Sequence, residues 1–408
     1  MNGVFIRSAS GNAVYGNDIG VAYNGSTPFG NAANGVLLEN DAASTTIGST
    51  QGARGNVISG NGGDGVLLQS PLQQTFNADN AINGNSIGVS TDGSVAVANG
   101  LNGVEIKDVS GTFVTNNVLS GNSSYGLAIE GPDPITGTAY AAQTTITGNM
   151  IGTNAYGTAA VANGSGIYLY QANNNTIGAA TQGTLQNPIP SNVISGNRSW
   201  GILMMDSSLN LVVNNYIGTD VTGLIPIGNS GEAGLAIRTD GAIDLDGNTI
   251  PSQQNTIGGV AGLNSTANVI SGNGTAQAPN WGFGVYIAGS TASKNIVEGD
   301  YIGVGSDGAT VIGNGNDGVF LDGGTSANTI GGAQANAGNV ISGNGNPKSI
   351  AGTWGYGVGL NITNNNLIQN NTIGFDANKK AAPNKNGGIL DGGVNDTWKG
   401  LNKNQDGT

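Results

Sequence analysis

A short strand-like phrase, Gly-Val-x-Ile or a close variant, recurs along this 408-residue chain, and one copy carries a charged group formed by Glu105, Lys107 and Asp108. Asp206 follows another copy. Two carboxylates on neighbouring copies would suit glycoside hydrolysis if they stood about 5–9 Å apart. A polysaccharide lyase or epimerase would instead need a base together with cations that stabilise a substrate carboxylate. These four residues are therefore the candidates for catalysis if the protein is an enzyme.

Cations and catalytic motifs are both scarce. The chain has four arginines and eight lysines, five of the lysines lie after residue 378, and there is no histidine to act as a general base. The sequence contains no hydrolase, lyase or epimerase motif. We therefore interpret the candidate carboxylates first as solvated turn residues, and catalysis stays the alternative.

Aromatic residues mark a second candidate site, a carbohydrate-binding or assembly face. One group stands directly before alternate copies of the phrase or two residues earlier, namely Tyr125, Trp200, Phe283 and Tyr356 with Trp281 and Trp354. Another group occupies position x of the phrase, namely Tyr168, Tyr286 and Phe320. Rings repeated at ~9.6 Å would stack on alternate sugars of an extended polysaccharide. Alternatively, the rings close each turn over the adjacent strand.

Metal binding has little support. Asp92, Asp220, Asp307 and Asp376 occupy similar turns, which calcium could bridge. The chain lacks a glycine-rich calcium repeat, and an isolated Asp-Gly is first of all a turn signal. We expect no cofactor, with these turns as the weak calcium alternative.

The elements that must position these residues follow from the repeat itself. The glycine that opens the phrase occurs twelve times, mostly at intervals of 30–40 residues. Two kinds of segment alternate between successive copies. One contains Asn-Val-Ile-Ser-Gly-Asn, as at 56–61 and 192–197, and the other contains x-Ile-Gly, a polar turn and an Ala/Val-rich stretch. The full period is therefore about 70 residues, and the chain is a repeat protein.

Three short apolar patches in each repeat predict three strands per coil of a parallel β-helix. We expect eleven full coils and a truncated twelfth, which at ~4.8 Å per coil gives a rod roughly 50 Å long. Valine and isoleucine would fill its core. Asparagine and glycine would turn the corners, with asparagine amides paired between coils.

These phrases resemble the repeats of right-handed parallel β-helix proteins from bacterial surfaces and secretions, which are similar in fold to pectate-lyase-like enzymes. The resemblance covers nearly the whole chain. It implies an all-β fold, and in related enzymes the active site lies on the first sheet and its flanking turns. Because the same repeats occur in adhesins, fibres, lyases, epimerases and hydrolases, the resemblance names no activity.

The amino-acid composition argues against two classes of partner, nucleic acids and membranes. A net charge of −13 argues against nucleic acid, and no stretch is apolar enough to insert into a membrane. No signal peptide is recognisable, but the resemblance to surface and secreted proteins implies an extracellular or cell-surface location, and an acidic surface keeps a secreted protein soluble. We assign residues 1–387 to the solenoid and residues 388–408 to a truncated coil with a lysine-containing tail.

Two functions remain open. The first is a non-catalytic structural or adhesive module that binds an extended polysaccharide or stacks end to end with its own copies. Acidic residues dominate positions 1–130 and lysines dominate positions 378–408, which favours such stacking, although a domain cut from a longer array would look the same. The second is a polysaccharide lyase or glycoside hydrolase that acts on the first-strand face.

Overall fold

Each of the first eleven sequence repeats contributes one strand to each of three parallel sheets, and the described part of the twelfth contributes to two of them. The sheets wind into a single right-handed parallel β-helix in this computed structural model. The structure describes residues 1–40, 42–49, 55–70, 76–77, 79–131, 143–179, 190–244, 246–260, 266–274, 282–345 and 355–400. Those residues contain no helix of any length, and so none that could cross a bilayer. The predicted all-β class and coil number are confirmed.

The first sheet is formed by the recurring Gly-Val-x-Ile phrase. Its twelve strands are Val4–Arg7, Val36–Glu39, Val66–Gln69, Val104–Lys107, Tyr125–Glu130, Ser165–Tyr170, Ile202–Met205, Ala233–Arg238, Phe283–Ala288, Val319–Asp322, Tyr356–Asn364 and Gly387–Val394. Each strand pairs in parallel with the strand of the next coil, so every side chain of the phrase forms a column along the rod.

The second and third sheets complete each coil. The second contains Ala13–Val14, Thr46–Gly48, Ala81–Asn83, Phe113–Thr115, Thr145–Thr147, Thr176–Gly178, Leu211–Val213, Thr256–Gly258, Ile296–Glu298, Thr329–Gly331, Leu367–Gln369 and Thr397–Lys399. The third contains Asp18–Ile19, Val57–Ile58, Ser86–Ile87, Val118–Leu119, Met150–Ile151, Asn192–Ile194, Asn215–Ile217, Val269–Ile270, Tyr301–Ile302, Val340–Ile341 and Thr372–Ile373. Two small pairs join Phe76–Asn77 to Val109–Ser110 and Ser252–Gln253 to Ala292–Ser293.

Aliphatic columns fill the interior because alternate side chains of each strand point inward. Val104, Ile106 and Ile146 are completely buried, as are their equivalents in the other inner coils. Stacked β-branched residues pack well in this geometry. The rod is thus held together by one continuous apolar core along its whole length.

Buried asparagines form ladders at the three corners between sheets. In each ladder a side-chain amide donates to the Oδ1 atom of the next coil at 2.8–3.1 Å. The ladder after the second sheet includes Asn117, Asn149 and Asn192, and the ladder after the third includes Asn122, Asn163 and Asn197. The predicted pairing of corner amides is confirmed.

A row of hairpin turns explains why two coil types alternate. The turns, which we call the turn ridge, comprise residues 21–28, 89–96, 153–160, 219–226, 304–311 and 375–381, each closed by an antiparallel bridge. They occur in every second coil. Each turn after the first donates a backbone hydrogen bond to the turn two coils before it, as when Val221 N donates to Gly157 O at 2.9 Å.

The turn ridge reaches over the intervening coil at the glycine of Asn-Val-Ile-Ser-Gly-Asn. Gly196 has a φ of 74°, and a Cβ atom there would lie 2.7 Å from the Cβ of Ala160 on the ridge. Its N–H donates to the carbonyl of Ile227 in the following coil at 2.7 Å. One coil type supplies the turn and the other supplies the glycine beneath it, so the structural unit is the pair of coils.

Candidate functional site

The side chains at position x of the first sheet point outward and stand in register. The column runs Phe5, Leu37, Leu67, Glu105, Ala128, Tyr168, Leu203, Ala236, Tyr286, Phe320, Gly359 and Leu390. From Leu203 to Phe320 this column is buried, whereas Leu67, Glu105 and Tyr168 are partly exposed. We call the strands Val66–Gln69, Val104–Lys107, Tyr125–Glu130 and Ser165–Tyr170 the open face.

The residue before each phrase lies against position x of the next coil. The ring of Tyr125 stacks on Tyr168 with centroids 4.7 Å apart, and Phe283 stacks on Phe320 at the same separation. The two columns identified in the sequence therefore form one surface, offset by one coil. The same offset relates Asp317 to Gly359, where a Cβ atom would lie 2.5 Å from Asp317 Oδ2.

The aromatic residues lie mainly against one another. Tyr125, Tyr168 and Tyr170 form a stack with ring planes 14–16° apart, which covers the inner ring faces. In the buried part of the face, Phe283, Tyr286 and Phe320 form a second stack. A sugar needs an uncovered ring face, so stacking within the protein reduces the ring surface that these described residues can offer to it.

Other aromatic candidates differ in their surroundings. Trp200 is half-buried and packs against the same apolar cluster as Phe283, while Tyr356 is half-buried beside Gly387. Trp281 and Trp354 lie outside the described residues. The regular platform of aromatic rings is thus interrupted by stacking within the protein.

An acid pair occupies the open face. Asp64 precedes the phrase of one coil and Glu105 holds position x of the next, so the same offset brings their carboxyl groups into a hydrogen bond. Asp64 Oδ1 also accepts from the backbone N of Asn102 at 2.9 Å, and Asn102 Nδ2 donates to Glu105 Oε2 at 3.1 Å. Asp64 is 2% exposed, and Glu105 reaches the surface.

Burial and like charge decide which of the two carries the proton. Burial, reinforced by the charges of Asp64 and Glu130, raises the pKa of Glu105 to about 7. Burial also raises the pKa of Asp64, but its hydrogen bonds from Asn102 and Glu105 act in the opposite direction. Glu105 is therefore the proton donor of the pair near neutral pH.

A second carboxylate lies diagonally across from Glu105. Glu130 pairs in register with Lys107, whose Nζ lies 3.4 Å from Glu130 Oε2 in an ion pair. Glu105 and Glu130 sit on neighbouring strands two residues apart, which places their Cα atoms about 8 Å from each other. The two side chains lie on the same face of the sheet, and the charge of Glu130 contributes to the raised pKa of Glu105.

Of the other catalytic candidates, Lys107 lies on the open face, whereas Asp108 and Asp206 lie elsewhere. Asp108 turns the corner after the strand with a φ of 57°, and its N–H donates to the carbonyl of Glu130 at 3.0 Å. Asp206 lies three coils along, about 14 Å from Glu105 along the rod axis. It is 1% exposed, and burial together with Asp240 raises its pKa to about 8. Asp206 is thus too deeply buried to touch a polymer.

The side chains of the four turn aspartates accept hydrogen bonds from residues of their own turns. Asp92 accepts from Ser90 and Ser94, Asp220 from Leu224 N and Ile225 N, Asp307 from Thr310 N, and Asp376 from Lys380 N. These are the hydrogen bonds of ordinary Asx turns. Within the described ranges there is no group of three or more acidic residues that could hold a metal ion.

Sequence reasoning missed Asp64 and Glu130. Both follow from the register: Asp64 stands in the same column as Tyr125, and Glu130 stands beside Lys107 once the phrases are aligned. The sequence does not show that the residue before the phrase in one coil lies against position x of the next coil. This one-coil offset is visible only in the three-dimensional structure.

Comparison with solved structures supports the fold. The chain is similar to the Dettilon tailspike protein, with a TM-score of 0.51, 16% identity, and coverage of 94% of this chain and 60% of the tailspike. The fold is that of the right-handed parallel β-helix proteins. This chain thus spans 60% of the length of that tailspike.

Further similarities are weaker. The A-module of the mannuronan C-5 epimerase AlgE6 from Azotobacter vinelandii gives a TM-score of 0.42 at 16% identity, covering 96% of this chain and 86% of that one. Tailspike protein 2 of the Escherichia coli O157:H7 bacteriophage CAB120 gives 0.41 at 10% identity, covering 91% and 38%. No protein-family model matches the chain, and no curated protein matches it.

Proposed function

We propose that the open face binds an extended polysaccharide of low charge and hydrolyses it. Glu105 acts as the general acid and Glu130 as the second carboxylate. One observation carries this proposal: a carboxyl group whose pKa is raised to about 7 stands one strand away from a carboxylate in an ion pair. Two carboxyl groups in different environments are what acid and base roles require.

We infer a separation of about 6.5–9.5 Å between the two carboxyl groups, the spacing of inverting glycosidases, which leaves room for a water molecule beside Glu130. Glu130 would take a proton from that water as its oxygen attacks the anomeric carbon. Glu105 would give its proton to the glycosidic oxygen as the carbon–oxygen bond breaks. Asp64 accepts the hydrogen bond from Glu105 and so keeps the proton on Glu105 until the substrate binds. The expected outcome is inversion at the anomeric carbon.

Charge favours a neutral polymer over a polyuronate. Asp64, Glu105 and Glu130 cluster on the open face, and the single described cation among them, Lys107, is already paired. A uronate needs cations for its carboxylate, and the protein carries a net charge of −13. The lyase alternative from the sequence is therefore less well supported than hydrolysis.

The test is a screen of soluble neutral polysaccharides for new reducing ends, followed by nuclear magnetic resonance of the first-formed anomer. Glu105→Gln and Glu130→Gln should each lower kcat by about 10²–10⁴-fold. Glu298→Gln, on the second sheet away from the open face, is the matched control and should leave turnover unchanged. Equal activity of all three variants would refute the catalytic roles.

A second candidate is the non-catalytic structural or adhesive module. It is favoured by the burial of the first-sheet face from Leu203 to Phe320 and by exposed apolar residues at the ends, including Val394 and Trp398. Copies stacked end to end would cover those ends, and so would a longer chain with further coils. Filaments in electron microscopy without turnover of any glycan would favour this candidate. Both candidates imply an extracellular or cell-surface location, where extended polysaccharides occur.

A further inference from the structure

The turn ridge carries an exposed stripe that the open face does not explain. The arm after each turn is rich in apolar residues, and it presents Pro28 and Phe29, Val95 and Ala96, Ala159 and Ala160, Ile225 and Pro226, Val311, and Ala381. Phe29 is 82% exposed, Val95 60%, Ile225 59% and Val311 54%. These groups occupy three different positions relative to the bridge of each turn, so they form an irregular band along the ridge rather than a single column. Exposed apolar groups gathered in one region of a solvated surface indicate an interaction site.

The ridge is a fixed surface because its turns are bonded to one another and to the sheet beneath. Successive turns are joined by backbone hydrogen bonds of 2.9–3.1 Å, as between Ala155 N and Gly93 O. Ser306 Oγ also donates to the carbonyl of Thr222 at 2.7 Å. A Cβ atom at Gly157, Gly223 or Gly308 would meet the side chain of Met150, Tyr216 or Tyr301 respectively. The stripe is therefore ordered before any partner binds.

We propose that the turn ridge is the interface of an antiparallel dimer, in which a second copy of this chain lies side by side with the first. The hairpin turns of the ridge recur every two coils, about 9.6 Å apart. A second copy has the same spacing, so the turns of one copy can contact the turns of the other along the length of both rods. A two-fold axis across the rods makes the contact self-complementary and closed.

Charge selects the register of the two copies. The exposed charges on the ridge are Asp92 in the second turn, Asp307 in the fifth, and Lys379 and Lys380 in the sixth. If the axis passes through the fourth turn, at Ile225, the second turn of one copy meets the sixth turn of the other. Asp92 then faces the two lysines twice, once on each side of the axis. The third turn meets the fifth, which places Asp307 beside Tyr156.

Two other registers bring like charges together. Placing the axis between the third and fourth turns sets Asp92 against Asp307, and parallel rods set each aspartate against its own copy. Like charges across an interface cost binding free energy. Five turns in contact cover about 50 Å by 12 Å, or roughly 600 Å² per partner, slightly below the standard interface. We therefore expect dimerisation in the micromolar range rather than permanent assembly.

The chain has no cysteine, so single-cysteine variants can map the contact directly. Ile225→Cys, at the axis, should form a disulfide-linked dimer by itself. Ser94→Cys and Asn378→Cys should cross-link with each other when mixed, but neither with itself. Leu211→Cys, 37% exposed on the second sheet, is the matched control and should stay monomeric.

Charge reversal gives an independent measurement by sedimentation between about 1 and 200 µM, a range that brackets the expected dissociation constant. Lys379→Glu combined with Lys380→Glu should weaken dimerisation at least tenfold, and Asp92→Lys added to that pair should restore it. These side chains are exposed, and circular dichroism checks that each variant folds. The proposal is overturned if the protein stays monomeric throughout, if Leu211→Cys cross-links as fast as Ile225→Cys, or if Ser94→Cys pairs with itself. End-to-end filaments with an accessible ridge would overturn it as well.

Discussion

At the scale of single residues, the asparagine ladder after the second sheet has an aspartate at one position, and this residue should make the stability of the protein depend on pH. Asp300 takes the place of asparagine and is 1% exposed. Its Oδ1 accepts from Asn268 Nδ2 at 2.9 Å, while its Oδ2 has no partner among the described residues. Burial raises the pKa of Asp300 to about 8. The protonated acid has an O–H where asparagine has its amide, so it fits the ladder as a donor.

We predict that Asp300→Asn stabilises the protein increasingly as pH rises. The folded protein holds a proton on Asp300 that the unfolded chain loses near pH 4, so the stabilising effect of that proton is complete below pH 4. It declines by up to about 1.4 kcal/mol per pH unit until the pKa near 8 is passed. Thermal unfolding midpoints at pH 4, 6 and 8 should separate progressively. Asp246→Asn, on an exposed loop, should show no such separation, and parallel midpoints for Asp300→Asn would disprove the idea.

The acid pair on the open face makes a second residue-scale prediction. Asp64 raises the pKa of Glu105 by its charge and by accepting its hydrogen bond. Asp64→Asn keeps an acceptor for Asn102 N but removes the charge, so the pKa of Glu105 should fall below 7. Glu105 would then lose its proton at lower pH, and the alkaline decline in kcat should begin earlier.

The matched control for Asp64→Asn is Asp317→Asn. Asp317 occupies the same column, but the next coil has Gly359 at position x and no carboxyl group. Titration of the Glu105 carboxyl carbon by nuclear magnetic resonance separates this effect from a general loss of structure. An unchanged Glu105 titration in Asp64→Asn would remove Asp64 from the mechanism.

At the scale of elements, glycine at the x-Ile-Gly corner depends on the coil stacked against it. Gly152 and Gly374 occupy the same column with φ of 88° and 77°. A Cβ atom at Gly152 would run into Asn197 Oδ1 and the carbonyl of Ser195, whereas at Gly374 the nearest atom is 3.9 Å away. The two positions share the backbone strain of a left-handed residue and differ only in packing.

Gly374→Ala should therefore cost about 1–2 kcal/mol from backbone strain alone. Gly152→Ala should cost a further 1–3 kcal/mol or so, because the asparagine ladder must shift to admit the methyl group. Chemical denaturation of both variants tests the difference. Equal losses would show that the ladder does not constrain this corner.

The strands and corners of the coils could be predicted from the sequence more fully than the acid pair on the open face. The period of the glycine phrase and the position of corner asparagines follow from local sequence, because each coil obeys the same steric rules. Contact between Asp64 and Glu105 depends instead on a lateral offset between coils, which no local pattern states. The same holds for the turn ridge: its Ala/Val-rich arm was visible in the sequence, but its reach over Gly196 was not.

At the scale of the whole molecule, the pair of coils is the unit that can be added or removed. Deleting residues 126–200 removes one coil of each type and joins coils whose types still alternate. Deleting residues 166–200 alone removes one coil and brings the turns at 153–160 and 219–226 into neighbouring coils. These turns normally lie about 9.6 Å apart and would be forced to about 4.8 Å.

The longer deletion should therefore harm the protein less than the shorter one. Solenoids are stabilised by contacts between neighbouring repeats, so removing a whole unit shortens the rod without creating a faulty junction. We expect the 126–200 deletion to unfold in one transition close to that of the full chain. The 166–200 deletion should melt at a clearly lower temperature, because two ridge turns compete for one space and no glycine of the intervening coil lies beneath them. Calorimetry of both proteins decides between this view and a single-coil unit, for which the shorter deletion would be the milder one.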